Sequence, residues 1–279
     1  MYINLFDSHV HSDNSPEGRD LVTALCSAAV DKGISGICIT DACDMEEFEE
    51  QKYGKRLMYS CFAAHKAQDI FSQQLIVTNG VEMCQPLADP DRAVQVIGEN
   101  RFDFVLGSLH KTRKYGDMMM LNYAHPALDL QDVFRSYYEE LLEVVQWGHF
   151  DSLAHLTYPL RYFEGQHGVL VDLSRFSGLI DAILSEVIIR GRSLEVNSSG
   201  WRQGMGGPLP GRELLERYRK LGGWRITIGS DAHRTADLAA DFVQTRRLLQ
   251  ELGFAGACHY RAREPIFLPF SAEILPRVI

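Results

Sequence analysis

Residues 3–42 read INLFDSHVHSDNSPEGRDLVTALCSAAVDKGISGICITDA. The segment opens on one apolar run, 3–11, and closes on another, 36–42. Between them, 18–33 places apolar residues at Leu21, Val22, Leu25, Ala28 and Ala29, which is helical spacing, and it stops at Gly33. The stretch is therefore a strand–helix–strand unit. His9 and His11 stand near the end of its first strand. Positions i and i+2 of a strand share a face, so the two imidazoles are aimed at one point, with Asp7 just ahead of them.

The same alternation continues along the chain. Further apolar runs are LIVTNGVEM (75–83), FDFVLGSLH (102–110), FDSLAHL (150–156), SLEVNSS (193–199) and WRITIGSDAH (224–233). Amphipathic segments lie at 130–148, 173–191, 210–223 and 236–253. Strand–helix alternation repeated about seven times implies a parallel sheet. A length of 279 residues suits one α/β domain over 1–279, and seven units in one domain predict a closed barrel. An open doubly wound sheet is the competing architecture. Its Gly-rich nucleotide loop belongs where this chain has DSHVHSDNSPEG, so that signal is missing.

Composition narrows the function. A net charge of −9 argues against a nucleic-acid surface, which needs a basic footprint. It leaves room for an anionic small substrate, because a few arginines or cations can dominate a pocket. No stretch of about 18 apolar residues predicts a membrane span. The start MYINLFDSHVH lacks the basic and long apolar regions of a signal peptide. The six cysteines are scattered, several in apolar runs, and read as reduced thiols. The cytoplasm is the expected location.

Nearly every strand closes on a potential ligand: His9 and His11, Asp41, Glu82, His110, His155, Glu195 and Asn197, then Asp231 and His233. In a parallel barrel the C-terminal strand ends meet on one face, which hosts the active site. Each residue alone has a plainer reading. A histidine near a strand end is usually a hydrogen-bonded core residue, Glu82 suits a helix start, and Asp231 suits a helix cap. Seven such coincidences at one end of the sheet favour a metal centre. His65, His125, His149, His167 and His259 lack this placement and are read as outside the site. Imidazole with carboxylate suits Zn, Mn or Fe rather than Ca. About seven ligands exceed one tetrahedral zinc, so two or three cations are expected. Such a cluster can clamp both sides of an in-line displacement at phosphorus.

In order, DSHVHS, ITDACD, GVE, GSLH, AHL and GSDAH resemble the polymerase and histidinol phosphatase (PHP) family over most of the chain. The resemblance implies a distorted seven-stranded, TIM-like (β/α) barrel with its metal site at the C-terminal strand ends. It implies one metal on His9, His11, Glu82 and Asp231, and a second sharing Glu82 with His110 and His155. A third would take Glu17, His233 and a residue after the second strand. Relatives usually read T-[DE]-H there, whereas this chain reads Thr40-Asp41-Ala42. Alanine binds no metal, so two sites are expected to fill normally and the third to be weak or empty unless Asp41 or Asp44 serves it.

NSSGWRQGMGGPLP (197–210) resembles a segment of the monofunctional histidinol-phosphatase branch. Arg202 would then contact phosphate, with Arg161 and Lys111 as further candidates, since a guanidinium fork matches phosphate oxygens. The leaving alcohol would be protonated by a metal-bound water or by a nearby acid, with Asp231 and His233 as the candidate catalytic residues. Asp13 or Glu164 is a candidate partner for a substrate amine. The implied activity is hydrolysis of L-histidinol phosphate, a small phosphorylated substrate, in histidine biosynthesis. The alternatives are another phosphomonoester (nucleotide, sugar phosphate or phosphotyrosine) or a metal-binding protein inactivated at Ala42. An amidohydrolase-type barrel also opens with HxH, but it commonly has a mid-chain lysine ligand, and no lysine here ends a strand.

Overall fold

Of the domain expected over 1–279, the computed structural model describes residues 3–123, 125 and 128–270. In chain order the elements are β1 (Ile3–Val10), α1 (Val22–Lys32), β2 (Ile34–Ile39), β3 (Ala42–Asp44), α2 (Tyr53–Phe71), β4 (Ile76–Cys84), α3 (Pro90–Asn100), β5 (Phe104–Ser108), β6 (Lys111–Thr112), β7 (Gly116–Asp117), α4 (Leu130–Trp147), β8 (Ser152–Leu153), α5 (Ser177–Ile189), β9 (Ser193–Asn197), α6 (Ser199–Arg202), α7 (Arg212–Lys220), β10 (Ile226–Gly229), α8 (Phe242–Glu251), β11 (Gly256–Arg261) and β12 (Glu264–Pro269).

Strands β1, β2, β4, β5, β8, β9 and β10 pair in that order, all parallel. These are the seven apolar runs. The last strand turns back toward the first: Val10 and Ala232 form a parallel bridge, Asp231 N donates to His9 O (2.9 Å) and His11 N donates to Ala232 O (2.8 Å). The result is a nearly closed seven-stranded barrel whose seam lies at the C-terminal strand ends. Asp7 pins that seam. Its buried carboxylate accepts from Ser230 N (2.8 Å), Ser230 Oγ (2.6 Å) and Ala239 N (2.9 Å).

The helices cover the barrel by burying one stripe each. α4 turns Val133, Phe134, Tyr137, Leu141 and Val144 inward, starts on the Asp129 side chain, which accepts from Gln131 N and Asp132 N, and stops at Gly148. Gly148 has φ +70, the left-handed conformation that favours glycine at a helix end. Each fully buried Phe, Leu or Val side chain stabilises the fold by about 1.5–3 kcal/mol relative to an exposed one.

Helices α2 and α3 and the short α6 are not foreseen by the apolar pattern. α2 faces the barrel with Tyr53, Leu57, Ser60, Ala64 and Ala67, while Met58, Tyr59, Phe62 and Ile70 are exposed. Small and polar residues inside with large apolar ones outside invert the usual signal. Short β3, which pairs with β4, also escapes the pattern, as does the antiparallel hairpin β11–β12.

That hairpin closes the N-terminal mouth of the barrel. The His259 ring stacks on Phe6 (centroids 4.5 Å apart), Tyr260 stacks on Phe104 (5.1 Å), and the Tyr260 hydroxyl lies 2.8 Å from Ser193 Oγ. Burial first, then the charge of Arg261, push the His259 imidazole down to about 4. An unfolded histidine titrates near 6.5, so the folded protein resists a proton that the unfolded chain accepts. The stabilisation is whole above about pH 6.5 and is lost as pH falls toward 4, at roughly 1.4 kcal/mol per pH unit. A His259→Phe variant, which keeps an aromatic ring against Phe6, is expected to lose less melting temperature between pH 7 and pH 5 than the parent. Equal losses in both would show that His259 contributes nothing to acid sensitivity.

Candidate metal centre

At the C-terminal strand ends the barrel brings together six of the residues expected as ligands. His9 and His11, alternate residues at the end of β1, bring their Nε2 atoms to 3.0 Å. Asp231, just beyond β10, places Oδ1 3.8 Å from His9 Nε2 and 3.6 Å from His11 Nε2. His110 follows β5 and His155 follows β8, with Nε2 atoms 3.2 Å apart. Glu82, on β4, stands between the pairs. Its Oε2 is 3.6 Å from both His9 and His11 Nε2, and its Oε1 is 3.2 Å from His110 and 3.0 Å from His155 Nε2. One carboxylate thus offers one oxygen to each pair.

The backbone is bent to achieve this. His155 (φ 46), Asp231 (φ 55) and Gln85 (φ 52) all occupy the left-handed region. Non-glycine residues there cost about 1–3 kcal/mol each and cluster at functional sites. Gln85 uses its bend to hold the loop after β5: its side-chain oxygen accepts from His110 N (2.7 Å) and its amide donates to Lys111 O (2.8 Å).

Charge and burial fit divalent cations. Burial raises the Glu82 carboxyl, but His110 and His9 beside it hold it well below the usual carboxylate range. Asp231 behaves alike, with burial offset by His9 and Arg161. The Nδ1 of His9 faces Glu195 Oε1 at 2.6 Å. With Glu195 as acceptor the ring proton sits on Nδ1 and Nε2 presents a lone pair. That Nε2 converges with His11 Nε2 at 3.0 Å and with the oxygens of Glu82 and Asp231, a set of donor atoms that a cation can join. Donor separations of 3.0–3.8 Å match ligands around one cation with bonds of about 2.0–2.2 Å. Among the described residues, two groups of at least three donors can hold an ion: His9, His11 and Asp231, and Glu82, His110 and His155.

The third expected position is incomplete. His233 Nε2 and Glu17 Oε2 are 3.4 Å apart, and the His233 ring stacks on His11 at 4.5 Å. Ala42 lines the same cleft without a donor. Asp41 does not compensate, because Ser12 N (2.6 Å), Ser12 Oγ (2.7 Å) and Ser60 Oγ (2.5 Å) all donate to its carboxylate. Asp44 faces Lys111 Nζ at 3.1 Å instead.

The cations separate. Arg161 lines the cleft above the Tyr158 ring (4.6 Å); its Nη2 donates to Asp231 Oδ2 (3.0 Å) and its buried Nε has no partner. Arg202, expected at the phosphate, is not among the cleft-lining residues. Its guanidinium donates to the carbonyls of Ser230 (2.7 Å) and Asp231 (2.9 Å) and so holds the turn that carries Asp231, a correction forced by its position on the short α6. Lys111 lines the cleft, but Asp44, Glu46 (3.3 Å) and Glu47 (2.5 Å) surround its ammonium, so a phosphate there would meet three carboxylates. Glu164 accepts from Val171 N (3.1 Å), away from the cleft, and Asp13 is not among the cleft-lining residues. His65, His125, His149, His167 and His259 join neither donor group. Glu195 and Asn197, strand-end candidates in the sequence, lie behind the donors rather than among them.

A parallel barrel with two histidine–carboxylate groups at its C-terminal strand ends defines a class of metal-binding α/β barrels. Residues 7–199 match the PHP domain, and the chain belongs to that family. A probable histidinol-phosphatase of Thermotoga maritima is 27% identical over 256 residues, spanning 90% of this chain and 93% of the relative. The histidinol-phosphatase of Lactococcus lactis is 26% identical over 255 residues, spanning 89% and 91%. The fold matches a solved structure of histidinol phosphate phosphatase from Lactococcus lactis, complexed with zinc, L-histidinol and phosphate. That match has a TM-score of 0.77 and 21% identity, and covers 94% of this chain and 99% of the other.

Metal analysis of the zinc-loaded protein is expected to find two ions per chain. Glu82→Ala, which removes the shared carboxylate, is expected to weaken both, whereas His155→Ala is expected to spare one. Three tightly held ions in the parent would overturn the incomplete third position.

Proposed function

We propose that this chain is a metal-dependent phosphomonoesterase that hydrolyses L-histidinol phosphate to L-histidinol and phosphate. The observation that carries the reading is the single carboxylate of Glu82 set between two imidazole pairs, with Arg161 on the wall of the same cleft. The relatives of matching length and the enzyme's name they bear support the substrate.

His9, His11, Asp231, Glu82, His110 and His155 would hold Zn, Mn or Fe, which when bound would supply a water of lowered pKa and offset charge on phosphoryl oxygens. Arg161 binds the phosphate: its unpartnered Nε and the Nη2 now on Asp231 form a fork suited to two oxygens. Asp231 keeps that guanidinium oriented. His233, whose side chain retains 32% exposure at the cleft, passes a proton to the leaving alcohol through Nε2, with Glu17 beside it. The excess of acid around Lys111, with Asp44 and Glu47 lining the cleft, suits the ammonium of histidinol and disfavours anionic leaving groups. Glu17 and His233 bind a third cation weakly at most, since Ala42 offers no donor.

Phosphate release with zinc or manganese supplied tests the reading. L-Histidinol phosphate is expected to be turned over at least about tenfold more efficiently than a nucleotide or sugar phosphate, a preference of ~1.4 kcal/mol in transition-state binding. Equal rates on all phosphomonoesters would leave the phosphatase and remove the substrate. Arg161→Ala is expected to lower kcat/KM by about 10²–10³, as loss of one donor to a developing oxyanion does. Glu47→Gln is expected to raise KM for L-histidinol phosphate several-fold and leave unchanged KM for a phosphomonoester whose leaving alcohol carries no charge.

A further inference from the structure

Behind the His9–His11–Asp231 group lies a carboxylate with no place among the donors. Glu195 on β9 is fully buried, and its Oε1 sits 2.6 Å from His9 Nδ1. Its other oxygen accepts from Asn197 Nδ2 at 3.1 Å, and the same amide reaches Asp231 Oδ2 at 3.4 Å. Among the described residues the carboxylate pairs with no arginine or lysine, and its counterpart is the imidazole edge of His9. Burying an ion in such surroundings is costly unless it is paired.

The fold makes room for this contact at one position. A Cβ on Gly229, in β10, would lie 2.4 Å from His9 Cβ and 2.5 Å from Glu195 Oε1. Any side chain at 229 therefore displaces either the imidazole or the carboxylate that faces it. Gly229 pairs with Asn197 in the β9–β10 ladder, so the space, the carboxylate and the amide are set by one register.

The other histidine of the pair is held differently. His11 Nδ1 meets Ser15 Oγ at 3.0 Å, and the same hydroxyl accepts from Ala42 N at 2.8 Å. A hydroxyl engaged as acceptor by Ala42 still donates once, so it can donate to His11 or accept from it, whereas Glu195 can only accept. Only His9 is thus tied to one tautomer. A carboxylate on the far nitrogen also makes an imidazole a stronger donor toward a cation.

We propose that Glu195, admitted by Gly229 and steadied by Asn197, is the positioning residue of the His9–His11–Asp231 group. It fixes the His9 proton on Nδ1 and turns the Nε2 lone pair to the metal position, and it couples that ring to Asp231 through the Asn197 amide. The proposal rests on the metal-centre reading of the proposed function.

Zinc affinity of the full chain, measured by competition with a chromophoric chelator, tests it on Glu195→Gln and Glu195→Leu. Unfolding temperature of the metal-free proteins and imidazole nitrogen NMR are recorded alongside. Glu195→Leu removes the acceptor and is expected to weaken one zinc about 10–100-fold, as loss of such outer partners does, with the second zinc retained. Glu195→Gln keeps an acceptor without the charge and is expected to fall between the leucine variant and the parent. Metal-free unfolding temperatures are expected not to follow this order, because removing a buried carboxylate also removes its desolvation cost. The His9 nitrogen signals are expected to show Nδ1–H in the parent and a tautomer mixture in Glu195→Leu. Gly229→Ala is expected to reproduce the zinc defect.

Parent-like zinc affinity in folded Glu195→Gln and Glu195→Leu would overturn the proposal, as would an affinity loss matched by a loss of metal-free stability. If the leucine variant does not fold, the glutamine variant decides alone by the same criterion. A parent that binds no zinc would overturn the metal-centre reading itself.

Discussion

The carboxylate of Glu82 lies buried with four imidazole nitrogens within 3.6 Å of its two oxygens, and much of the upper barrel is arranged around it. A group of that kind is unfavourable in an apolar interior unless its neighbours compensate it. The compensation comes from the ends of β1, β5 and β8 together, so no local segment can build it. The strands must be parallel, in register and curled until the last meets the first. The seam between β10 and β1 is therefore part of the site: the backbone bonds that join Asp231 to His9 and Ala232 to His11 also set the spacing of three donors.

Around this inner group is a layer of residues that are not themselves donors but decide where the donors point. Asp7 clamps Ser230, Arg202 holds the carbonyls of Ser230 and Asp231, Gln85 holds the backbone of His110, and Ser15 ties His11 to Ala42. Each uses a buried polar group that would be a liability if unpartnered. Left-handed residues at 85, 155 and 231 add strain that the packed strands below must hold. A rigid lower barrel, capped by the β11–β12 hairpin, is the physical requirement for a precise upper rim.

Much of the centre was legible because the donors are chemically distinctive and end consecutive strands. HxH at 9 and 11, Glu82, His110, His155 and Asp231 needed only the i, i+2 rule and the convergence of parallel strand ends. At Ala42 the sequence already shows a side chain without a donor in the third expected position. The surroundings of Arg202 were not legible, because a guanidinium near a glycine-rich loop looks the same whether it faces phosphate or a backbone carbonyl. Those of Lys111 were not legible, because the acids that surround it lie far back in sequence, at 44, 46 and 47. Helix α2 was missed because Ser60, Ala64 and Ala67 occupy much of its inward stripe while Met58, Tyr59, Phe62 and Ile70 lie exposed.

The sequence by itself determined the strand–helix alternation, the parallel barrel and the identity of the donors, since periodicity and residue chemistry are local properties. Tertiary structure alone decided how those donors divide into two groups about Glu82, which arginine faces the cleft, and that Glu195 stands behind His9 in space left by Gly229. Those outcomes depend on barrel curvature and strand register, which set distances between residues far apart in sequence, 186 positions for His9 and Glu195. A change of one register step would turn Glu195 to the other face of β9, and nothing in its neighbouring residues records which face it takes.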